Sequence, residues 1–491
     1  MMRWTLLLVL LGVSALRADE RPPNVVLIVA DDLGYADLGC YGAKDIRTPH
    51  LDQLAADGTR FTNFCVAQAV CTASRAALLS GCYPNRIGMA GALNHTSTTG
   101  IHADETLLSE LCQARGYATA CYGKWHLGTR PAFYPTRHGF DDWFGLPYSN
   151  DNGPLHPTIR GIPPLPLIAN ERVVTTDPDQ AQLTNQFTDR AIAFITAQRQ
   201  RPFFVYVPYV MPHVPIFATP AFRGKSARGL YGDVVEELDA GVGRILATLA
   251  QHDLTQSTLV IFLSDNGPFL SYGTHAGRAT PFREGKLTTF EGGVRVPFVV
   301  RWPGRVPAGR TSADFITGLD VLPTLATAIG AKLPARPLDG QNLLGALTGQ
   351  PEAIGRSAFA YFAGNELHAV RSGQWKLHLP HDYLTVAGSP GTDGKPANHA
   401  QMRPVAIEES GIRGIASRHG YRVAQQPQAL YDLTADPGET TDQSATQPTR
   451  VAELLRLAER VRADLGDDLT RTPGTGRRPV GVDRPAPPTE K

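Results

Sequence analysis

Two stretches constrain the fold of this chain more than any others. NVVLIVADDLG (residues 24–34) and STLVIFLSDNG (residues 257–267) are unbroken apolar runs that end in acids and a glycine. A strand that is apolar on both faces has to be covered on both, so each run belongs in the middle of a sheet. Both then deliver carboxylates to a strand's C-terminal tip. In sheets built from alternating strands and helices, ligands bind beyond those tips.

The rest of the chain supplies the alternation. TPHLDQLAADG reads as a short helix closed by Gly58, and ADETLLSELCQARGY as an amphipathic helix closed by Gly116. TNQFTDRAIAFITAQ and GDVVEELDAGVGRILATLAQH are further helices, while ATACYGK and RPFFVYVPYV are buried strands. The expected fold class is therefore α/β: a large, mixed but mainly parallel sheet flanked by helices over residues 22–355. From residue 356 the pattern changes to short strands, SAFAYFAG, LHAVRSGQWKLHLP and QALYDLTADPGE, and then a helix over residues 450–465. That predicts a smaller antiparallel sheet plus helix over residues 356–471. Residues 381–426 between these strands read as a long loop, of the kind that usually has a function. The Pro/Gly/Arg-rich tail, residues 472–491, is expected to be disordered.

The N-terminus, MMRWTLLLVLLGVSALRADE, has one basic residue, Arg3, ahead of an apolar run and then small residues. It reads as a signal peptide over residues 1–18, too short to span a bilayer, so an exported protein with no membrane span is expected. With 47 Lys+Arg against 46 Asp+Glu, the chain lacks the basic excess of a nucleic-acid binder. The six cysteines, at 40, 65, 71, 82, 112 and 121, all lie in the first quarter, unlike a disulfide scaffold. If Cys71 has a chemical task, five remain and at least one is unpaired or bonded outside the chain.

Candidate chemistry gathers at the tips. Asp31, Asp32, Asp265 and Asn266 would bring three carboxylates and an amide oxygen to one sheet edge. Hard oxygen donors select Ca²⁺ or Mg²⁺ over zinc, although an acid at a strand end also serves as a turn or cap. In GKWHLG, Lys124 and His126 flank Trp125, so an extended backbone would point both to one side. A lysine there binds an anion, and a neutral histidine moves a proton. PYVMPHVP places His213 between prolines after a strand, and REGKLTTFEGGVRVP places Lys286 before a run that re-enters the sheet. Ser149 in GFDDWFGLPYSNDNGP is a further candidate for a pocket wall. Cys71 opens CTASRAALLSG. It reads as a small buried residue, half of a disulfide or a thiolate nucleophile, and none of these accounts for Ser74-Arg75 at that spacing.

CTASRAALLSG resembles the sulfatase signature, C-x-P/A-S-R followed by an apolar run and Ser/Thr-Gly. GYATACYGKWHLG is similar to the second signature of that family. ADDLGYADLGCYG, FLSDNGP, GKLTTFEGGVRVP and LYDLTADPGE match in order across almost the whole mature chain. HGFDDWFGLPYSNDNGP and RGLYGDVVEELD resemble the arylsulfatase A and N-acetylgalactosamine-6-sulfatase branch. The resemblance implies an alkaline-phosphatase-like fold and hydrolysis of a sulfate monoester, with a sulfated carbohydrate as substrate and aryl sulfates accepted. It implies that a maturation enzyme converts Cys71 to Cα-formylglycine, whose hydrate is the nucleophile. Ala73 stands where many members have proline, which bears on the route of that conversion.

The resemblance also implies roles. Asp31, Asp32, Asp265 and Asn266, with residue 71, would hold one Ca²⁺ (Mg²⁺ is second choice). Arg75 would orient the gem-diol, Lys124 and Lys286 would hold sulfate oxygens, and His213 would serve the leaving oxygen with Ser149 nearby. Asp265 would accept the attacking hydroxyl's proton. His126 would then take the second hydroxyl's proton as sulfate is expelled. Two alternatives share the motifs in part: a phosphonate or phosphate monoester hydrolase of the same superfamily, and a non-catalytic relative that binds sulfated glycans.

Overall fold

The computed structural model describes residues 21–350, 355–409 and 411–483, so the apolar N-terminal segment read as a signal peptide lies outside the described residues. Ten strands form the main sheet: Asn24–Ala30 (β1), Thr59–Phe61 (β2), Ala118–Lys124 (β3), Asp142–Leu146 (β4), Pro166–Ala169 (β5), Arg172–Thr176 (β6), Phe203–Pro208 (β7), Thr258–Ser264 (β8), Phe298–Arg301 (β9) and Arg310–Ser312 (β10). Their spatial order is β10-β2-β9-β8-β1-β7-β3-β4-β5-β6. The five central strands, β8 to β4, run parallel, and the outer neighbours add antiparallel pairs on both sides. The α/β, mainly parallel architecture is the expected one.

Both acid-tipped runs are in the centre, side by side. The β1–β8 register pairs Ala30 with Ser264, so Asp31 and Asp265 emerge together at one edge. Every residue of both strands is buried. Val25, Leu27 and Val29 face one apolar layer with the helices Cys71–Ser80 (α2), Leu108–Ala114 (α3) and Val321–Ala328 (α6). Val26, Ile28 and Ala30 face the other, packed against Pro49–Ala56 (α1), Leu183–Gln198 (α4) and Leu230–Gln251 (α5). Two-sided burial explains why these strands show no apolar–polar alternation.

One close approach positions a site residue. Gly123 pairs with Gly145 beneath Lys124. A Cβ on Gly145 would stand 1.7 Å from the Gly123 carbonyl oxygen, and one on Gly123 would stand 2.0 Å from that of Pro208. Neither neighbour can yield, because both are backbone. Gly145→Ala should therefore cost about 1–3 kcal/mol, the range for overpacking a filled interior. The measurement is the urea midpoint. An unchanged midpoint would mean that the strands separate freely here.

Beyond residue 355 a four-stranded antiparallel sheet forms from Ala358–Ala363, Glu366–Ser372, Trp375–His378 and Ala429–Asp432, covered by the helix Pro448–Leu465. Three expectations need correction. Residues 381–426 are not simply a loop. His381–Val386 and Tyr421–Gln426 pair as an antiparallel hairpin around a helix, Ile412–His419. Gly58 does not close α1. Asp57 is the cap, and Gly58 lets the chain pass β9, where a Cβ would meet the Val300 oxygen at 2.2 Å. The tail is placed as far as Asp483: Gly481–Val482 pairs with Thr99–Gly100, and Arg478 forms an ion pair with buried Glu105 at 3.0 Å.

Candidate active site

The site lies beyond the C-terminal tips of β1, β8, β7 and β3. Each element brings one or two groups. β1 ends at Asp31 and Asp32, the latter in the left-handed region at φ 64°. β8 ends at Asp265 and Asn266, and β3 at Lys124. Cys71 is the first residue of α2, whose ten residues are all buried and which ends at Gly81 at φ 69°. Lys286 comes from the segment before β9, and His213 from the turn after β7.

Charge is matched pair by pair. Lys124 Nζ lies 2.5 Å from Asp31 Oδ2, and Lys286 Nζ 2.7 Å from Asp32 Oδ1. Arg75 donates through Nε to Asp265 Oδ2 at 2.9 Å, and its Nη2 lies 3.2 Å from Asp31. All six side chains are buried. Burial alone would raise the Asp31 carboxyl, but Lys124 and Arg75 hold it well below the usual carboxylate range. Burial and the adjacent Asp31 push Asp265 upward. Desolvation works against the charged form of Lys286, yet Asp32 keeps it strongly basic.

The three cations already neutralise the three carboxylates, so repulsion by itself does not call for a metal. The oxygens left over do. Asp31 Oδ1, Asp32 Oδ2 and Asn266 Oδ1 are buried without a hydrogen-bond partner. Such groups are costly unless something satisfies them. Ligand atoms of Asp31, Asp32, Cys71 and His213 all lie within 4.8 Å of one another. The thiol and imidazole of that group are softer donors, whereas the three unpartnered oxygens are hard ones. Asp265 stands beside this group with both oxygens engaged, one by Arg75 and one by the Asp32 amide at 3.1 Å.

Cys71 Sγ accepts from Lys286 Nζ at 3.3 Å. All six cysteines are free thiols in the structure, so no disulfide uses residue 71. Burial pushes the Cys71 thiol up to about 12, despite the opposing pull of Lys124 and Lys286. A thiolate nucleophile at neutral pH is therefore disfavoured. With an unmodified thiol at residue 71, the hydrogen bonds and ion pairs of Arg75 go to Asp265, Asp31 and the Lys124 carbonyl.

The two histidines differ in the nitrogen they offer. His126 is left-handed at φ 62°, so a turn rather than extended alternation brings it towards Lys124. Its Nε2–H donates to the Leu93 carbonyl at 2.8 Å, which leaves the buried Nδ1 a free lone pair. Burial and Lys124 keep the ring neutral by depressing its pKa strongly. His213 donates from Nδ1 to the Val214 carbonyl, which turns Nε2 towards Ser149 Oγ at 3.5 Å and Asp32 at 3.7 Å.

Sequence reasoning missed a second ring of groups. Asp151 is buried two residues after Ser149, and its Oδ1 accepts from Asn152 at 2.9 Å. Burial would raise its carboxyl, but the imidazoles of His213, His156 and His419 hold it well below the usual range. His156 and His419 stand with ring centroids 5.8 Å apart. Only the position of Asp151 beside Ser149 was a signal, since His419 arrives from a segment more than 250 residues away.

A mainly parallel α/β sheet that gathers Cys71, two lysines and three unpartnered oxygens at its strand tips is an arrangement suited to a hydrolase of tetrahedral oxyanion esters. The chain belongs to the sulfatase family: the Sulfatase family model matches residues 23–331, and the model for the C-terminal region of aryl-sulfatase matches residues 355–479. It is a sulfuric ester hydrolase. It is 39% identical to arylsulfatase A of Bos taurus over 92% of this chain and 90% of that protein. It is 40% identical to N-acetylgalactosamine-6-sulfatase of Canis lupus familiaris over 77% and 75% of the two chains. A solved Bacteroides thetaiotaomicron chain from a glycosaminoglycan-metabolism locus superposes with a TM-score of 0.73 at 28% identity, covering 90% of this chain and all of that one. The phosphonate monoester hydrolase of Agrobacterium radiobacter shares the fold, with a TM-score of 0.59 at 20% identity over 90% and 95% of the two chains. The family implies a metal and a formylglycine.

Proposed function

We propose that this protein is an exported, calcium-dependent sulfatase that uses residue 71, as formylglycine, to cleave a sulfate monoester of a carbohydrate. The observation that carries this reading is the convergence of the Cys71 side chain with Asp31, Asp32 and His213 beside three unpartnered oxygens. Asp31, Asp32 and Asn266 would hold the cation, with Asp265 behind them. Ca²⁺ takes six to eight oxygen ligands in flexible geometry, so these three oxygens would be supplemented by water and substrate oxygens, while Mg²⁺ demands a stricter octahedron. Bound there, the cation would supply Lewis-acid polarisation of the ester and acidify the nucleophile's hydroxyl. The hydrated aldehyde would supply two hydroxyls on one carbon, one to attack sulfur and one to expel sulfate.

The remaining chemistry belongs to the chain's own side chains. Lys286, already 3.3 Å from Sγ, and Lys124 offset negative charge on the sulfate oxygens. Asp265, raised by burial, accepts the first hydroxyl's proton. His126 takes the second hydroxyl's proton on its free Nδ1. Because the Nδ1–H of His213 is held by Val214, this histidine donates to the leaving alcohol only as imidazolium, a form that burial and Lys286 disfavour and that Asp32 partly restores. Arg75 fixes the carboxylates on which this geometry depends. Export rests on the N-terminal segment. No described helix is long and apolar enough to cross a membrane. The carbohydrate reading draws support from the names of the N-acetylgalactosamine-6-sulfatase relatives.

Chelation is the test. After exhaustive dialysis against a calcium chelator, hydrolysis of an aryl sulfate should fall at least about 100-fold, and calcium should restore it, because a metal contributes several kcal/mol of transition-state stabilisation. Calcium should also raise the melting temperature of the chelated protein, as any ligand of the native state does. Full turnover in chelator, with no thermal shift on adding calcium, would refute the metal assignment.

A further inference from the structure

Beside the sulfate-binding groups lies a set of polar side chains that the hydrolytic chemistry leaves unused. Asp151 sits on the segment after β4, and its Oδ2 accepts no hydrogen bond among the described residues. The amides of Thr158 and Ile159 both donate to His156 Nδ1, at 3.1 and 2.9 Å. That fixes the neutral tautomer with its proton on Nε2, which is left as a donor. His419 Nδ1 meets the Tyr272 hydroxyl at 2.8 Å, and its ring lies 4.9 Å from Phe269. Phe269 in turn lies 6.2 Å from His213 and beneath Lys286. An acceptor, a fixed donor and a ring wall therefore adjoin His213 and Lys286 through Phe269. Buried carboxylates are rare unless something uses them.

A cavity adjoins these segments, although Asp151, His156, His419 and Phe269 do not line it. The segments that carry His156 and His419 are tied together, because Thr158 Oγ1 donates to the Arg418 carbonyl at 2.9 Å. Just outside them a cavity of about 370 Å³ opens between residues 158–162 and 404–408, with His95, Arg160 and Glu408 in its wall. That volume is within the range of small-molecule sites. His95 is joined to Asn152, the neighbour of Asp151, by a 3.1 Å hydrogen bond.

Resting on the carbohydrate reading above, we propose that Asp151, His156 and His419 bind the alcohol part of the substrate, and that this alcohol is a sugar with a free hydroxyl next to the sulfated carbon. The hydroxyl donates to Asp151 Oδ2 and accepts from His156 Nε2, while His419 and Phe269 bound the ring. A site built to pair a hydroxyl rejects an analogue that lacks it, because its own buried polar groups are then left unpaired. A flat aryl alcohol makes none of these bonds, so Asp151 affects the two substrate types unequally.

The experiment is a substrate cycle on the full, matured protein. A sulfated monosaccharide identified by a turnover screen, its analogue deoxygenated beside the sulfated carbon, and an aryl sulfate are each assayed with the wild type and with Asp151→Asn. In the wild type, deoxygenation should lower kcat/KM about 100-fold or more. In Asp151→Asn that penalty should shrink to within about threefold, and the ratio of sugar to aryl kcat/KM should fall about 100-fold. His156→Gln serves as the second variant should Asp151→Asn fold poorly, and the same shrinkage is expected. An equal loss on all three substrates would overturn the inference and leave the sulfatase reading intact, as would a deoxygenation penalty that survives both substitutions. If the wild type turned over the aryl sulfate but no sulfated sugar, the inference and the carbohydrate reading would fall together.

Discussion

Cys71→Ser should abolish multiple turnover of an aryl sulfate, by at least about 10⁴-fold, the scale on which removal of a nucleophile acts. The fold should survive, because a small buried side chain replaces another at the start of a helix that keeps all its other contacts. A serine has one hydroxyl and no second oxygen to drive elimination. It should attack once at most and remain sulfated. The chemical state of residue 71 can be read directly. Trypsin should release residues 61–75 as one peptide, since no Lys or Arg lies between Arg60 and Arg75. In active protein this peptide should be lighter than the cysteine form by about the mass of one water, whereas thiol oxidation would make it heavier. Wild-type turnover by a variant whose peptide carries an unmodified serine would overturn the formylglycine mechanism.

The second large effect is expected at Arg75. Its guanidinium is fully buried between Asp265 at 2.8 Å and Asp31 at 3.2 Å. Arg75→Met keeps the bulk but strands two carboxylates, of which only Asp31 retains a cation, Lys124. Breaking a buried pair from one side costs about 3–5 kcal/mol. The denaturant midpoint should fall accordingly, whether or not residue 71 has been modified. Activity should be lost with it, since Asp265 and the Lys124 backbone are both held by Arg75. The double variant Arg75→Met/Asp265→Asn should recover part of the stability and none of the activity. A midpoint within about 0.5 kcal/mol of wild type, the range of inert surface changes, would show that the carboxylates are satisfied in another way.

The sequence displayed the centre of the sheet and concealed its margins. β1 and β8 were readable because burial on both faces leaves a continuous apolar run, and such a run ends abruptly where its acids begin. The hairpin of residues 381–426 was not. Few of its strand residues are buried, among them Leu384 and Tyr421, so no strong period marks it. The tail from Thr472 has the composition of a disordered segment, but its order depends on distant partners, Glu105 and the strand Thr99–Gly100. The residues that gather at the strand tips could be picked out from motifs. What each one touches could not: Arg75 facing carboxylates, and His213 grouped with Asp31 and Asp32, follow from register and from turns. Asp151, His156 and His419 were illegible for the same reason, since three separate stretches of chain meet only after the sheet has formed.

The helix that begins at Cys71 has a consequence for how active molecules arise. Residue 71 is only 3% exposed, and the nine residues after it are covered as well. Any enzyme that must grip this segment to oxidise it finds the handle only while the chain is still open. If residue 71 is matured to formylglycine, modification and folding would compete, and a molecule that folded first would keep its thiol. Specific activity would then count converted molecules, and expression with slower folding should raise that count without changing any one molecule's turnover.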